Sequence, residues 1–418
     1  MRKSAILLLG PLFVFSLAVA AHSPAPTDEA SKMDEVCIPP GQWRDAKTDD
    51  PVGHDALIDA VAKRPVVLLG ESHTSAEHHR WQLHTIAAIH ARNPRMVLGF
   101  ESFPRRLQPV LDAWVAGEMD RKEFLEKSEW NDVWRYDAGL YMPLFHFARM
   151  HAVPMVALNV DRKTIKKIRA NGLDGVSDDQ REGVGEPAPA APAYLDVLAE
   201  VFTHHLSHAG AHHGATQDTK KDDPPEPVDR DDAKFRGFVA AQLTWDRAMA
   251  EALASARAAG ERPVVVGILG GGHLEYGHGV PHQLADLGVT DAAVLLPWDA
   301  GRPCADLKSD AGTPVADFVF AVDAPSEPAG RPRMLLGVVI TDGDNGVHVD
   351  RVMPDSVAEK TGLKVDDVIV EAAGVATAKT RDLIAVVHRQ APGTWLPLRI
   401  ERDGETLDVV AKFPATPE

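Results

Sequence analysis

The 418-residue chain has only two cysteines, Cys37 and Cys304. That excludes a disulfide-dense scaffold and a cysteine-built metal centre. Either the two form one bridge, which an exported protein permits and which would clasp the ends of a first domain, or they are unrelated thiols. Positive charge is scarce: 44 Lys and Arg face 61 Asp and Glu, a net charge of -17. A surface this acidic repels nucleic acid and anionic lipid, so neither is an expected partner. Beyond residue 20 no apolar run is long enough to span a membrane, so the mature protein is expected to have no transmembrane anchor. Tyrosine occurs only four times, a small pool for any role that needs a phenol.

The N-terminus has what the rest lacks. Arg2 and Lys3 precede an apolar run from Ala5 to Val19, and Ala18-Val19-Ala20 is a small-x-small cleavage pattern. These features predict a Sec-type signal peptide over 1–20 with no lipobox, and an exported, periplasmic product. Residues 21–50 read as a polar tail. A βα pattern occupies 51–300, with predicted strands at Val66–Gly70, Met96–Glu101, Met155–Asn159, Val264–Leu269 and Ala293–Leu296. Short continuous apolar runs of this kind suit strands buried on both faces of a parallel sheet. Thr74 to Glu77 reads as a capping box opening a helix, and Leu140–Met150 and Phe235–Ala259 as amphipathic helices. The fold class expected is α/β, a mainly parallel sheet with helices on both faces. A Pro- and His-rich insertion at about 172–232 is expected to be partly disordered. Residues 301–331 read as a linker, and 332–415 as a small β-rich domain.

Three predicted strands run straight into polar residues: Val66–Gly70 into Glu71-Ser72-His73, Met96–Phe100 into Glu101, and Val264–Leu269 into Gly270-Gly271-Gly272-His273. The carboxyl ends of adjacent parallel strands converge on one crevice, so Glu71, His73, Glu101 and His273 are expected to share a pocket. Two imidazoles and two carboxylates suit a divalent transition metal such as iron, manganese or zinc. They also suit acid–base work without a metal, with His as base and Glu as its orienter. Any one of them alone could be a satisfied polar strand end. His79, on the first helix turns, could line the same pocket. Arg105 or Arg106 could pair there with an anionic group. His204, His205, His208, His212 and His213 sit in the insertion, either as metal ligands on one helix face or as a solvated loop.

Two resemblances follow. Gly70-Glu71-Ser72-His73 with His78-His79-Arg80-Trp81-Gln82, Gly99-Phe100-Glu101-Ser102-Phe103-Pro104-Arg105-Arg106, Trp134 with Tyr141, Ala157-Leu158-Asn159, Gln242 with Trp245-Asp246, and Gly272-His273 resemble the ChaN family, haem-binding uptake proteins of the Tiki superfamily. That superfamily also holds erythromycin-esterase-like hydrolases and Tiki metalloproteases, and its paired Gly-x-x-His with glutamates is matched at 71, 73, 101 and 273. The resemblance implies haem or a transition metal as cofactor, with His79, Arg105, Tyr141 and Asn159 as ligand-binding residues. Tyr136, Tyr141 and Tyr276 are candidate axial ligands. It equally allows a metal-dependent hydrolase in which Glu71, His73 and His273 hold a metal and Glu101 activates water, or an interaction scaffold with a vestigial site. Val352-Met353-Pro354-Asp355-Ser356-Val357-Ala358, Thr361-Gly362-Leu363 and Asp366-Asp367-Val368-Ile369 resemble the core of bacterial PDZ domains. That implies peptide capture beside a helix at Thr380–Arg389, with the backbone of Leu335, Leu336, Gly337 and Val338 holding a C-terminal carboxylate. The alternative is a PDZ fold used only as a spacer.

Overall fold

The computed structural model describes residues 36–211, 228–259, 263–323 and 334–415. The signal-peptide reading, His212 and His213 lie outside the described residues. The strands of the larger domain are β1 (Trp43–Asp45), β2 (Pro51–Val52), β3 (Val66–Glu71), β4 (Met96–Pro104), β5 (Met155–Asn159), β6 (Val264–Gly270), β7 (Ala292–Asp299) and β8 (Phe318–Val322). They form an eight-stranded sheet in the order β2-β1-β8-β7-β3-β6-β4-β5. From β8 to β5 every neighbouring pair is parallel, while β1 pairs antiparallel with both β8 and β2. The helices are α1 (His54–Val61), α2 (Ala76–Arg92), α3 (Gln108–Val115), α4 (Arg121–Lys127), α5 (Trp130–Val133), α6 (Ala138–Met150), α7 (Arg162–Asn171), α8 (Pro192–Ala211), α9 (Ala233–Ala258) and α10 (Val280–Asp286).

Strand side chains alternate between faces, and here the two faces carry separate cores. Val67 and Leu69 of β3 pack with Leu98 and Phe100 of β4 and with Trp81, Trp114 and Phe145 of α2, α3 and α6. Val66 and Leu68 pack with Val97, Val265, Met249, Leu253 and Leu284, beneath α9 and α10. The central strands are buried on both sides because both faces are covered, which is why they read as unbroken apolar runs.

Three expectations need correction. Ser75, not Thr74, caps α2, its hydroxyl accepting from the His78 amide. The expected tail at 21–50 supplies β1, and the expected linker at 301–331 supplies β8. β1 is only three residues long, and the apolar run of β8 follows a segment rich in Pro, Gly and Asp that reads as loop. The two are held together covalently, since Cys37 and Cys304 form a disulfide across a sequence separation of 267 residues. Within the insertion, α8 packs Tyr194, Leu198 and Phe202 against Phe235 and Phe238 of α9, so its first half is a built helix.

The second domain contains β9 (Val338–Asp342), β10 (Val347–Val352), α11 (Val357–Thr361), β11 (Val368–Ala372), β12 (Val375–Ala376), α12 (Thr380–His388), β13 (Trp395–Arg402) and β14 (Glu405–Lys412). The antiparallel sheet runs β14-β13-β11-β10-β9, with β12 on β11. Its core is Leu336, Val347, Ile369, Leu383, Leu398 and Ile400. Ser356 caps α11, and Gly362 ends it in the left-handed conformation. Among the described residues no helix is long and apolar enough to cross a membrane.

The disulfide closes a very long loop, so its loss frees much chain entropy in the unfolded state. Cys304→Ser is expected to lower unfolding stability by about 2–5 kcal/mol, read by urea denaturation. Thiol labelling of the native wild type should find neither cysteine.

Candidate functional site

The crevice forms where β3, β6 and β4 end side by side. Glu71 pairs in register with Gly270, and the amide of Gly270 donates to Glu101 Oε2 at 2.7 Å. Strand parity sends the two carboxylates to opposite faces. Glu71 follows Val67 and Leu69 towards α2 and α6, and Glu101 follows Val97 towards α9.

On the first face Glu71 is buried and heavily bonded. His73 Nδ1 donates to Oε1 at 2.8 Å, and the Tyr141 hydroxyl donates to the same oxygen at 2.5 Å. His79 Nδ1 lies 3.1 Å from Oε2 and 3.2 Å from Gln82 Oε1. Gln82 in turn donates to the carbonyls of Leu69 and Gly70. Burial alone would raise the Glu71 carboxyl, but the bonds from His73, His79 and Tyr141 outweigh it and hold it down at about 2. Burial and the adjacent Glu71 push the Tyr141 phenol above its ordinary range.

The second face carries a matching pair. His273 Nδ1 lies 2.5 Å from Asp246 Oδ1 and its Nε2 3.6 Å from Glu101 Oε1. Gln242 Nε2 is 3.1 Å from His273 Nδ1. The Tyr194 hydroxyl donates to Asp246 Oδ2 at 2.8 Å. Burial lowers the His273 pKa, but Glu101 and Asp246 raise it to about 10, which favours the imidazolium, while burial raises the Asp246 carboxyl above its ordinary value. Burial raises the Glu101 carboxyl and His273 and His73 pull it below its ordinary value.

His73 stands between the two pairs. Its ring lies against the backbone of β6: a side-chain carbon built on Gly270 would sit 2.9 Å from His73 Cε1, 3.2 Å from Nε2 and 3.5 Å from Glu101 Oε2. Burial lowers its pKa, and the bond to Glu71 and the charge of Glu101 raise it above the ordinary value. Its Nε2 makes no hydrogen bond among the described residues, and the side chain is half-buried. Trp134 meets the ring edge-on at 4.7 Å, and Tyr136 lies 5.0 Å away by centroids.

Glu71, His73, Glu101, His273, His79 and Tyr141 are therefore brought together. Asn159 joins at the rim, donating to the Glu101 carbonyl at 3.0 Å. Arg105 does not join. It begins a 3₁₀ turn that aims it at α9, where it donates to the Ala248 carbonyl at 2.8 Å and pairs with Glu251 at 3.3 Å. Arg106 turns the other way and binds Glu129 and Asp161. The Tyr276 hydroxyl lies 3.5 Å from the Asp306 carbonyl. Sequence reasoning missed Asp246 and Gln242 as site residues. They occupy one face of α9 with Trp245, at the i, i+3, i+4 spacing that signals a shared helix face.

Among the described residues no three His, Cys, Asp or Glu side chains are spaced to hold a metal ion. The expected ligand set of Glu71, His73 and His273 is dispersed because each histidine turns Nδ1 to a different carboxylate. Haem makes a different demand: one axial donor, an aromatic slot and cations for its acids. The unbonded Nε2 of His73, the Tyr136 hydroxyl and the indoles of Trp134 and Trp245 fit the first two of these. Beside Glu101 the site opens into a cleft of about 870 Å³ lined by Trp134 and Trp245.

The depressed Glu71 and the raised His273 give the pH dependence its sign. Glu71 stabilises fully above its ordinary 4.5, and loses this as pH falls towards about 2. His273 stabilises fully below its ordinary 6.5, and loses this as pH rises towards about 10. Their joint contribution is largest between 4.5 and 6.5. Asp246→Asn should flatten the alkaline arm of a denaturation–pH series and shift the His273 NMR titration midpoint down towards its ordinary value.

Residues 57–284 match the family described as Haem-binding uptake, Tiki superfamily, ChaN, and residues 334–412 match the PDZ domain. A solved structure of ChaN from Campylobacter jejuni with cofacially bound haem is 15% identical, covering 66% of this chain and 95% of that one at a TM-score of 0.47. The HtrA3 PDZ domain bound to a phage-derived ligand is 20% identical over 19% of this chain and 82% of its own, at a TM-score of 0.17. A probable periplasmic serine endoprotease of DegP-like type from Marinomonas sp. (strain MWYL1) is 34% identical over 76 residues, 18% of this chain, and the match spans only 16% of that protein's length. With more than half of its length matched, the chain belongs to the ChaN haem-binding uptake family of the Tiki superfamily, and it carries a PDZ domain behind that fold.

Proposed function

We propose that this is an exported haem-binding protein whose first domain seats haem at the mouth of the crevice, while the PDZ domain captures a peptide or partner. The observation that carries the reading is the free Nε2 of the half-buried His73, fixed through Nδ1 by Glu71 at 2.8 Å and flanked by Trp134 and Tyr136. When bound, haem supplies an iron that takes an imidazole or phenol ligand. Glu71 orients the imidazole, and Tyr141 and His79 keep that carboxylate ionised. Trp134 and Trp245 offer flat apolar surface. The Cys37–Cys304 disulfide and the N-terminal apolar run support a periplasmic location, where uptake of haem or its iron would take place.

A second reading has its own observation. Each histidine carries a carboxylate at Nδ1, 2.8 Å for His73 and 2.5 Å for His273, the arrangement of an imidazole base with its orienter. It supports hydrolysis of an ester or peptide without a metal.

Haemin added to the purified chain should give a shifted Soret band, and His73→Ala or Tyr136→Phe should weaken binding by roughly tenfold or more. Binding through His73 Nε2 requires loss of its proton, so affinity should rise with pH through that raised pKa. No Soret shift at micromolar haemin would remove the reading. Turnover across an ester and peptide panel that disappears in His73→Ala would favour the second.

In the PDZ domain β9 is an edge strand, joined to α12 through the Thr380 amide and Asp342 Oδ1 at 2.7 Å. Exposed Val339 and Ile384 lie on these two elements, as a strand-adding peptide requires. Gly337 holds φ +77°, and a Cβ there would meet Ser356 Cβ at 2.3 Å. A C-terminal peptide library should yield binders that Gly337→Ala loses. A library without binders would leave the domain as a spacer.

A further inference from the structure

The cleft beside Glu101 differs in charge from the rest of the molecule. Of its carboxylates, Glu101 is matched to His273, and Glu129 and Asp161 are both bound by Arg106. Asp132 alone has no ion-pair partner among the described residues. Against it stand Arg135, Arg162, Lys163, Lys166 and Arg169. All five are exposed. Lys163 acts on Glu129 and Arg169 lies over the Phe238 ring at 5.3 Å, but Arg135, Arg162 and Lys166 make no ion pair among the described residues. In a chain of net charge -17, a cationic recess is a local exception.

The cleft wall also holds unused donors. The hydroxyl of Ser102, nine-tenths buried, and the indole Nε1 of Trp245 belong to lining residues and have no hydrogen-bond partner among the described residues. A buried donor left without an acceptor costs about 1–3 kcal/mol, so two on one wall point to an acceptor supplied from outside. Arg135 adds a third feature: it holds φ +72°, a conformation a non-glycine residue keeps only when its surroundings fix it.

We infer that this cleft is an anion subsite, in which Arg135, Arg162 and Lys166 bind the carboxylate or phosphate groups of a small ligand whose flat part lies on Trp245. The assignment rests on the reading of the crevice as a ligand site, and would place the acidic groups of haem, or of another planar acid, towards α7. Ser102 and Trp245 supply neutral donors to the same oxygens, and the cations supply the charge.

The test uses the full chain and the triple variant Arg135→Ala/Arg162→Ala/Lys166→Ala. All three side chains are exposed, so the fold should survive, as circular dichroism will report. Haemin and its dimethyl ester, in which the acids are masked, are titrated into both proteins. Inorganic pyrophosphate is titrated separately, read by tryptophan fluorescence at low and high salt. Wild type should bind haemin roughly tenfold or more tighter than the ester, since each charge-assisted bond contributes about that factor. The variant should bind the two alike. Haemin affinity unchanged by both esterification and the triple substitution would overturn the subsite while leaving haem binding intact. A wild type that ignores haemin but shows a salt-sensitive pyrophosphate response, lost in the variant, would keep the subsite and remove haem. Silence towards haemin and pyrophosphate alike would remove both.

Discussion

The crevice depends on a carboxylate that the sheet forces into its interior. Glu71 ends a strand whose odd-numbered residues face α2 and α6, so its side chain has no route to solvent except through the crevice. Burying that charge unpaired would cost several kcal/mol. His73, His79 and Tyr141 converge on it because nothing else in the layer can offset that cost. The positions of all three follow from this demand: His79 one turn into α2, Tyr141 in the first turn of α6, and His73 two residues on, folded back over its own strand end. The aromatic packing of Tyr141 against Trp130, Trp134 and Phe145 then fixes the helix that carries it.

Glu101 sets a parallel demand on the other face, and it is met differently. There the counter-charge is the His273 imidazolium, itself locked by Asp246, whose remaining oxygen is taken by Tyr194. The two histidines are thus unequal. His273 is buried among carboxylates, with Asp246 at 2.5 Å from Nδ1 and Glu101 at 3.6 Å from Nε2. His73 uses one nitrogen for Glu71 and keeps the other at the mouth. Here His273 keeps Glu101 ionised and in place, and His73 is the group that can meet a ligand.

Much of this was legible in the sequence because parallel strands buried on both faces leave an unbroken apolar signature, and because Gly-x-x-His repeats at two of their ends. Glycine at 270 is needed for the close approach of His73, a reason visible only once the strands are side by side. What stayed hidden was pairing across long separations. Asp246 lies on a helix whose pattern is that of any amphipathic α9, and its 2.5 Å contact to His273 depends on how that helix crosses β6. Arg105 and Arg106 are indistinguishable as neighbours in sequence; the 3₁₀ turn between β4 and α3 separates them, sending one to α9 and the other to Asp161. β1 and β8 escaped notice for a simpler reason. β1 has three residues, too few for a pattern, and the five apolar residues of β8 stand alone behind a Pro-, Gly- and Asp-rich stretch that masks them.

The balance between binding and catalysis turns on the backbone amides at the strand ends. Hydrolysis of an ester or peptide needs donors aimed at the oxyanion, and strand-to-helix turns commonly provide them as free N–H groups. At this crevice two such amides are already engaged. The Gly270 N–H donates to Glu101 at 2.7 Å, and the Ser72 N–H to His78 Nδ1 at 2.8 Å, with His78 held in turn by Asp299. These bonds hold both turns in place. Two donors without a partner among the described residues, the Ser102 hydroxyl and the Trp245 indole N–H, belong to the cleft wall beside exposed cations. Donors next to positive charge suit the acidic end of a bound molecule. In the proposed binding reading that wall holds the ligand while Glu71 orients His73.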